Sequence, residues 1–389
     1  MLFFYKKIIF YSFIARIYYV NVMYSSSKRD TLIGKLMKSY SETLGPTFVK
    51  ICQTLVYRND LLPQKTLDEL KPLLNKCMPE DNLENKIKNT FGNVSNIELI
   101  GSGTIAQVYS GCLEGKKYAF KVKRTEINKH IKKDISFLEE WFSFIHKYYP
   151  YCNILKRFDI IKKSIIIQTD FNKEIENCLI FEKVSQKLPN ITVPHVYTDM
   201  STEDIIVMDF IDGTPLCDTT TITDQNILKQ ILKLWLNGLL DYGLIHGDLH
   251  LGNLVKKHNS EDLVILDFGL VFNIQPTIQV KFMEYMNYFV NRDIQQITEW
   301  IFTNYILGEK TDKFKDDVKS LISKYITEEH IRFWDFSREL DILLLEHNLE
   351  LSEQFIELEI SKTTSFAIMQ TLNNDTTMLL GIFDELGLI

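Results

Sequence analysis

Uninterrupted apolar runs, paired cysteines, proline-rich linkers and a positive net charge are all missing from this chain of 389 residues, and each absence excludes a class. The most apolar stretch, residues 2–22, is broken by Lys6, Lys7 and Arg16, too often for a clean membrane span. Six cysteines (Cys52, Cys77, Cys112, Cys152, Cys178 and Cys217) lie far apart, with no CxxC pair and no histidine at zinc-ligand spacing. They read as buried thiols in a reducing compartment, not as a disulfide framework or a thiolate metal site. The first 29 residues carry Lys6, Lys7, Arg16, Lys28 and Arg29 with no acid, so a chain of −7 overall has −12 on the remainder. Such a body lacks the clustered cations that counterion release requires, which argues against a nucleic-acid partner. No internal repeat or low-complexity tract divides the chain.

What is present begins with a basic segment at 1–30, free of acid through Arg29. Its aromatic and β-branched residues suit a mitochondrial presequence or a membrane-surface helix, with Ser25-Ser26-Ser27 as a flexible exit. That reading ranks above an apolar arm packed on the body, because exposing so many apolar side chains to water is costly. A mitochondrial or membrane-associated location is expected, with a cytoplasmic one as the alternative. Residues 31–96 form a helical extension, broken by Gly45-Pro46 and Leu62-Pro63. Residues 97–213 read as a β-rich lobe with a helical insert: a meander over 97–123, helices over 126–187, then strands near 193–197 and 205–210. Residues 214–389 read as a helical lobe with short strands at Leu254-Val255 and Val264-Ile265-Leu266. The expected fold class is α+β, with two lobes.

Phosphoryl transfer asks a protein to hold phosphates, place a metal and orient a nucleophile. Ile100-Gly101-Ser102-Gly103-Thr104-Ile105-Ala106-Gln107-Val108 is a glycine-rich strand turn whose backbone N–H groups can approach phosphate oxygens. Taken alone it is as well explained by a plain hairpin. Lys121, inside the apolar strand Tyr118-Ala119-Phe120-Lys121-Val122, suits pairing with the α and β phosphates. Lys123 is expected on the opposite face, exposed to solvent. A buried ammonium needs a carboxylate, and Glu174 is the candidate, with Glu176 turned away from it. His246-Gly247-Asp248-Leu249-His250-Leu251-Gly252-Asn253 sets Asp248 and Asn253 at the spacing of a hydroxyl-orienting aspartate and a metal-binding asparagine. Asp267-Phe268-Gly269 follows on a strand end and supplies the second metal ligand, Asp267. His246 and His250 are read as packing the loop rather than binding metal. The cofactors implied are ATP and Mg²⁺.

Beyond these motifs, Leu44-Gly45-Pro46-Thr47-Phe48-Val49-Lys50-Ile51-Cys52-Gln53, followed by Arg58-Asn59-Asp60-Leu61-Leu62-Pro63, resembles the KxGQ segment of the UbiB/ADCK family of atypical protein-kinase-like proteins. Gln168-Thr169-Asp170 with Glu174 and Asn177 resembles that family's ExD motif and C-helix glutamate, and Asn291-Arg292-Asp293 resembles part of its C-terminal helices. The resemblance implies a bilobal protein-kinase-like fold, a role in coenzyme Q or lipid metabolism, and a gate formed by Lys50, Gln53, Gln168 and Asp170. Three features depart from the pattern. Cys52 stands where the family has glycine, and Gln168 stands where it has glutamate, so an ion pair with Lys50 becomes at best a neutral hydrogen bond. Gly101 and Gly103 replace an alanine-rich loop.

The favoured reading is an ATP-binding, ATP-hydrolysing or phosphoryl-transferring enzyme with Asp248 as base or orienter. Its acceptor is a lipid, a membrane-surface component, a protein or another molecule. One rival is a small-molecule kinase of the aminoglycoside or choline type, supported by the loop alone. The other is a nucleotide-sensing scaffold without turnover, which the changes at Cys52 and Gln168 keep open.

Overall fold

The computed structural model describes residues 2–56, 62–74, 77–148, 154–216, 225–326, 333–347, 349–372, 381 and 384–385. Arg58, Asn59, Asp60, Leu61, Cys152 and Cys217 lie outside the described residues. The chain separates into two compact units: Met1–Ile180 with Pro194–Asp212 and Asp267–Leu270, and Phe181–Val193 with Gly213–Leu266 and Val271–Ile389.

The first unit opens with α1 (Leu2–Met23), α2 (Ser26–Leu44) and α3 (Pro46–Leu55). Gly45, at φ +108°, ends α2 with its N–H on the Ser41 carbonyl, and Pro46 begins α3 where a helix needs no N–H. α4 (Gln64–Leu70), a 3₁₀ turn at Lys71–Leu74 and α5 (Asn85–Phe91) lead into β1 (Ser95–Ser102), β2 (Ala106–Leu113) and β3 (Lys116–Lys123). Glu114 and Gly115 both have positive φ (51° and 81°), the two-residue turn whose hand matches strand twist. α6 (Ile127–Tyr148), α7 (Ile154–Ile167) and α8 (Phe171–Ser185) follow; β4 (Ile191–Thr192) belongs to the second unit, and β5 (Ile205–Asp209) again to the first. β5 completes an antiparallel sheet in the order β1-β2-β3-β5. Its buried face carries Tyr109, Phe120, Val122, Ile205 and Val207.

The strand expected near 193–197 is reduced to a single bridge, Val196 with Met208. Pro194 offers no N–H for a ladder there.

α1 is an arm packed on the first unit, the reading ranked second from sequence. Phe10 is buried with its ring edge-on to Phe137 and Trp141 at 5.1 and 5.0 Å. The Lys6 ammonium meets the buried Asp134 carboxylate at 3.0 Å. Another part of the helix surface exposes Phe4, Tyr5, Ile8 and Tyr11. Among the described residues no helix is long and apolar enough to cross a membrane.

The second unit holds β6 (Gly213–Pro215), α9 (Gln225–Tyr242), β7 (Leu244–His246), β8 (Leu254–Lys257), β9 (Leu263–Ile265) and β10 (Val271–Asn273). A small sheet runs β4-β9-β8-β6, and β7 pairs with β10. α10 (Pro276–Val290), α11 (Ile294–Trp300), β11 (Ile306–Leu307), α12 (Asp312–Tyr325), α13 (Phe333–Glu346), β12 (Glu350–Leu351) and α14 (Glu353–Leu372) make it mainly helical. Its core stacks Tyr285 on Trp300 at 4.3 Å, with Phe289 and Phe355 against them.

Candidate active site

In the first unit, the register Ser102↔Gln107 closes the glycine-rich turn, and the Gly103 N–H donates to the Ala106 carbonyl at 2.9 Å. Ile100 is half exposed, whereas Thr104, Ile105, Ala106 and Gln107 are buried. Gln107 faces inward: its Oε1 accepts from the Glu80 N–H at 2.8 Å and its Nε2 donates to the Tyr109 hydroxyl at 3.1 Å. Gly101 lies opposite Val108 across the hairpin, and Val108 in turn lies opposite Lys121.

Lys121 is the hub. Its ammonium reaches Glu174 Oε1 at 2.5 Å and Asp267 Oδ1 at 3.1 Å. Burial opposes that charge, but the Asp267 and Glu174 carboxylates outweigh burial and hold the Lys121 pKa above the usual lysine range. Glu174 is 1% exposed, and burial raises its carboxyl to about 7 despite the pull of Lys121. Its second oxygen has no hydrogen-bond partner among the described residues. Burial also works against the Asp267 carboxylate, yet Lys121, the Gly269 N–H and the charge of Lys50 together hold its pKa below the usual aspartate range. The Gly269 N–H donates to Asp267 Oδ1 at 2.9 Å, and Asn177 Nδ2 donates to the Phe268 carbonyl at 3.0 Å. The Asp-Phe-Gly turn is thus tied to α8, the helix that carries Glu174. Glu176 is exposed and pairs with Lys173, as its angle around the helix required.

Lys123 departs from expectation. It is 6% exposed, donates to the Glu203 carbonyl at 2.5 Å and stands over the Phe171 ring at 4.5 Å. Side chains alternate with a period of two, so Lys121 and Lys123 share a face. Both ammonium groups accordingly lie near the Phe171 ring.

The four expected gate residues are placed differently from one another. Lys50 is buried in α3, and its charge reaches Asp267. Gln53 Nε2 donates to the Leu73 carbonyl at 2.7 Å, fastening α3 to the 3₁₀ turn. Gln168 Nε2 donates to the Ser164 carbonyl at 3.0 Å, one helical turn back. Asp170 Oδ1 accepts from the N–H groups of Asn172 and Lys173 at 3.1 and 3.2 Å, capping the start of α8. Cys52 is buried beside Val49, Val56, Leu70 and Leu73, and burial pushes its thiol up to about 12, so it behaves as packing. Cys178 is also buried, whereas Cys77 and Cys112 are half-buried.

In the second unit, the loop after β7 is self-bonded. Asn253 Nδ2 donates to the Asp248 carbonyl at 2.9 Å, and the Leu266 N–H donates to the Asn253 carbonyl at 3.0 Å. The Asp248 N–H donates to His246 Nδ1 and the Gly252 N–H to His250 Nδ1, each at 3.1 Å. Both histidines therefore shape the loop. Three supports carry no motif. Trp235 Nε1 donates to Ser361 Oγ at 2.6 Å, Ser361 Oγ donates to the His246 carbonyl at 2.5 Å, and Thr364 Oγ1 lies 3.4 Å from the Gly247 carbonyl. Helix α14 thus braces the loop from more than a hundred residues away.

Comparison with known proteins follows the same lines. The profile of the ABC1 atypical kinase-like domain matches residues 63–301, more than half of the chain. An aarF domain-containing protein kinase of Arabidopsis thaliana, named as chloroplastic, is 29% identical over 73% of this chain and 42% of its own length. A probable protein kinase UbiB from Enterobacter is 25% identical over 70% of this chain and 54% of its own. The matches thus span about half, or less, of these relatives' lengths. A Mycobacterium tuberculosis protein solved in complex with erythromycin shares the fold, with a TM-score of 0.56 at 17% identity over 81% of this chain and 82% of that one.

Proposed function

Given that the chain belongs to the ABC1 atypical kinase-like family, the UbiB/ADCK group its motifs resemble, we propose that it binds ATP with Mg²⁺ and transfers or hydrolyses the γ-phosphate. The observation that carries this reading is the Lys121 ammonium held between Glu174 and Asp267. A lysine fixed by two carboxylates is pre-positioned for phosphate oxygens and spends no rotamer entropy on meeting them.

Turn 101–106 supplies backbone donors beside β3, and Lys121 neutralises phosphate charge. Asp248 orients the attacking hydroxyl or water. The donors offered to a metal are oxygens, the Asp267 carboxylate and the Asn253 side-chain amide, whose Nδ2 is engaged by the Asp248 carbonyl. These two oxygen donors, completed by phosphates and water, would suit Mg²⁺, which would supply neutralisation of phosphate charge. Among the described residues no three His, Cys, Asp or Glu side chains converge on a point, so the metal set rests on this Asn–Asp pair.

An acceptor in lipid or coenzyme Q metabolism, and an organellar or membrane-associated location, are parts of the same proposal. They are supported by the family, by the chloroplastic relatives and by the exposed aromatic residues of α1. Turnover of ATP by the purified chain is the test. Asp248→Asn and Asp267→Asn should each lower Mg²⁺-dependent phosphate release on the order of a hundredfold or more. Undiminished turnover in both variants would exclude this assignment. Tight binding with no release by the wild-type chain, even with membranes present, would favour a nucleotide-sensing scaffold.

A further inference from the structure

One buried cation of the first unit has no part in that scheme. Arg124 follows β3 and is 8% exposed. Its Nε and Nη2 both donate to the Gly103 carbonyl, at 3.0 and 2.9 Å, and Nη2 also reaches Ser102 Oγ at 3.1 Å and the Met78 carbonyl at 2.7 Å. Its backbone N–H donates to the Ile105 carbonyl at 2.9 Å. A single residue therefore grips the glycine-rich turn on both sides and joins it to the segment between α4 and α5. That segment is itself fastened: the Glu80 N–H donates to Gln107 Oε1 at 2.8 Å, and the Glu80 carboxylate accepts from the Thr125 N–H at 3.2 Å.

The peptide group is planar and trans, so a carbonyl and the N–H that follows it point in opposite directions. Turning the Gly103 carbonyl onto Arg124 turns the Thr104 N–H away from it. That N–H has no acceptor among the described residues, although Thr104 is only 6% exposed. A backbone donor fixed in direction and left without a protein acceptor suits a phosphate oxygen. At Gly101, a Cβ would meet nothing nearer than the Val108 side chain at 3.7 Å, so packing does not demand glycine there, and the missing side chain leaves the turn's backbone open to close approach.

We propose that Arg124 is a positioning residue that presets turn 101–106 for the β and γ phosphates of a nucleotide. Through Met78 and Glu80 it makes the helical extension a contributor to phosphate affinity. The inference rests on the nucleotide reading above and deepens it. Arg124 acts through the turn's peptide groups, so its effect belongs to the phosphates and not to the base.

Displacement of a fluorescent ATP analogue from the full chain by ATP, ADP and AMP, with Mg²⁺, separates these contributions. In Arg124→Met, ATP and ADP should bind about tenfold more weakly, as loss of a charge-assisted contact gives, with AMP within about twofold of wild type. Arg124→Lys keeps the charge without the planar fork and should fall between. Glu80→Ala, which releases the extension from Thr125, should weaken ATP by roughly threefold and leave AMP unmoved. Equal losses for all three nucleotides would reduce Arg124 to a structural anchor, and unchanged ATP affinity in Arg124→Lys and Arg124→Met would remove its role. Either result overturns the inference. Where Arg124→Met does not fold, Arg124→Lys decides alone. A wild-type chain that binds no ATP analogue would instead overturn the nucleotide reading itself.

Discussion

Glu174 is the residue whose chemistry is most changed by its surroundings. Its carboxyl titrates near 7 in the folded chain because burial penalises its charge more than Lys121 rewards it. Between the ordinary carboxylate range and about pH 7 the folded state therefore binds more protons than the unfolded state. Stability from this group is present at low pH and lost as pH rises through that window. Chemical denaturation of wild type and Glu174→Gln at several pH values from 4.5 to 7 should show the wild-type advantage shrinking as pH rises. A flat difference would mean that Glu174 stays charged throughout. Lys121 has the same sign at higher pH: its raised pKa keeps its stabilisation in place up to the ordinary lysine range and loses it only above. Lys121, Glu174, Asp248, Asn253 and Asp267 could all be named from sequence, because each stands in a short run whose spacing reflects one local piece of backbone. Lys123 was expected on the wrong face, since strand parity puts it beside Lys121, and Gln53 and Gln168 found backbone partners that no motif announces.

Among the elements, α1 shows how one buried carboxylate organises three helices. Asp134 on α6 accepts from Lys6 of α1 and from Thr47 of α3, at 3.0 and 2.8 Å. Asp134→Ala should destabilise the first unit by about 1–3 kcal/mol, because it leaves a hydroxyl and an ammonium without their shared acceptor. Amide exchange should quicken first along α1, and unchanged exchange there would show that Phe10 packing alone holds the arm. The meander was legible because glycine turns and alternating apolar residues are local signals. The 193–197 strand was not, since its β-branched residues suggested a ladder that Pro194 interrupts. The bracing of the catalytic-type loop by Ser361 and Thr364 carries no sequence signal at all.

For the whole molecule, ligand linkage gives a direct measure of the nucleotide reading. Saturation at a hundred times Kd stabilises a folded chain by about 2.7 kcal/mol. ATP with Mg²⁺ should therefore raise the unfolding midpoint, and chelating the metal should remove most of the rise if Asn253 and Asp267 hold it. A rise of the same size in chelator would detach those residues from metal binding. The acidic remainder of the chain, at −12 beyond residue 29, sets a field that disfavours polyanions and leaves phosphate binding to local devices such as Lys121. The amino-acid order by itself determined the chemistry on offer: a glycine-rich turn, a strand lysine, an aspartate and asparagine in one loop, and an Asp-Phe-Gly turn. Each of these is written within a few consecutive residues. Only tertiary packing decided that Lys121 also meets Asp267, that α1 folds onto Asp134, and that Arg124 captures Gly103 and Met78. Those contacts join residues far apart in the chain, and their partners are fixed by which surfaces pack together, not by neighbours in sequence.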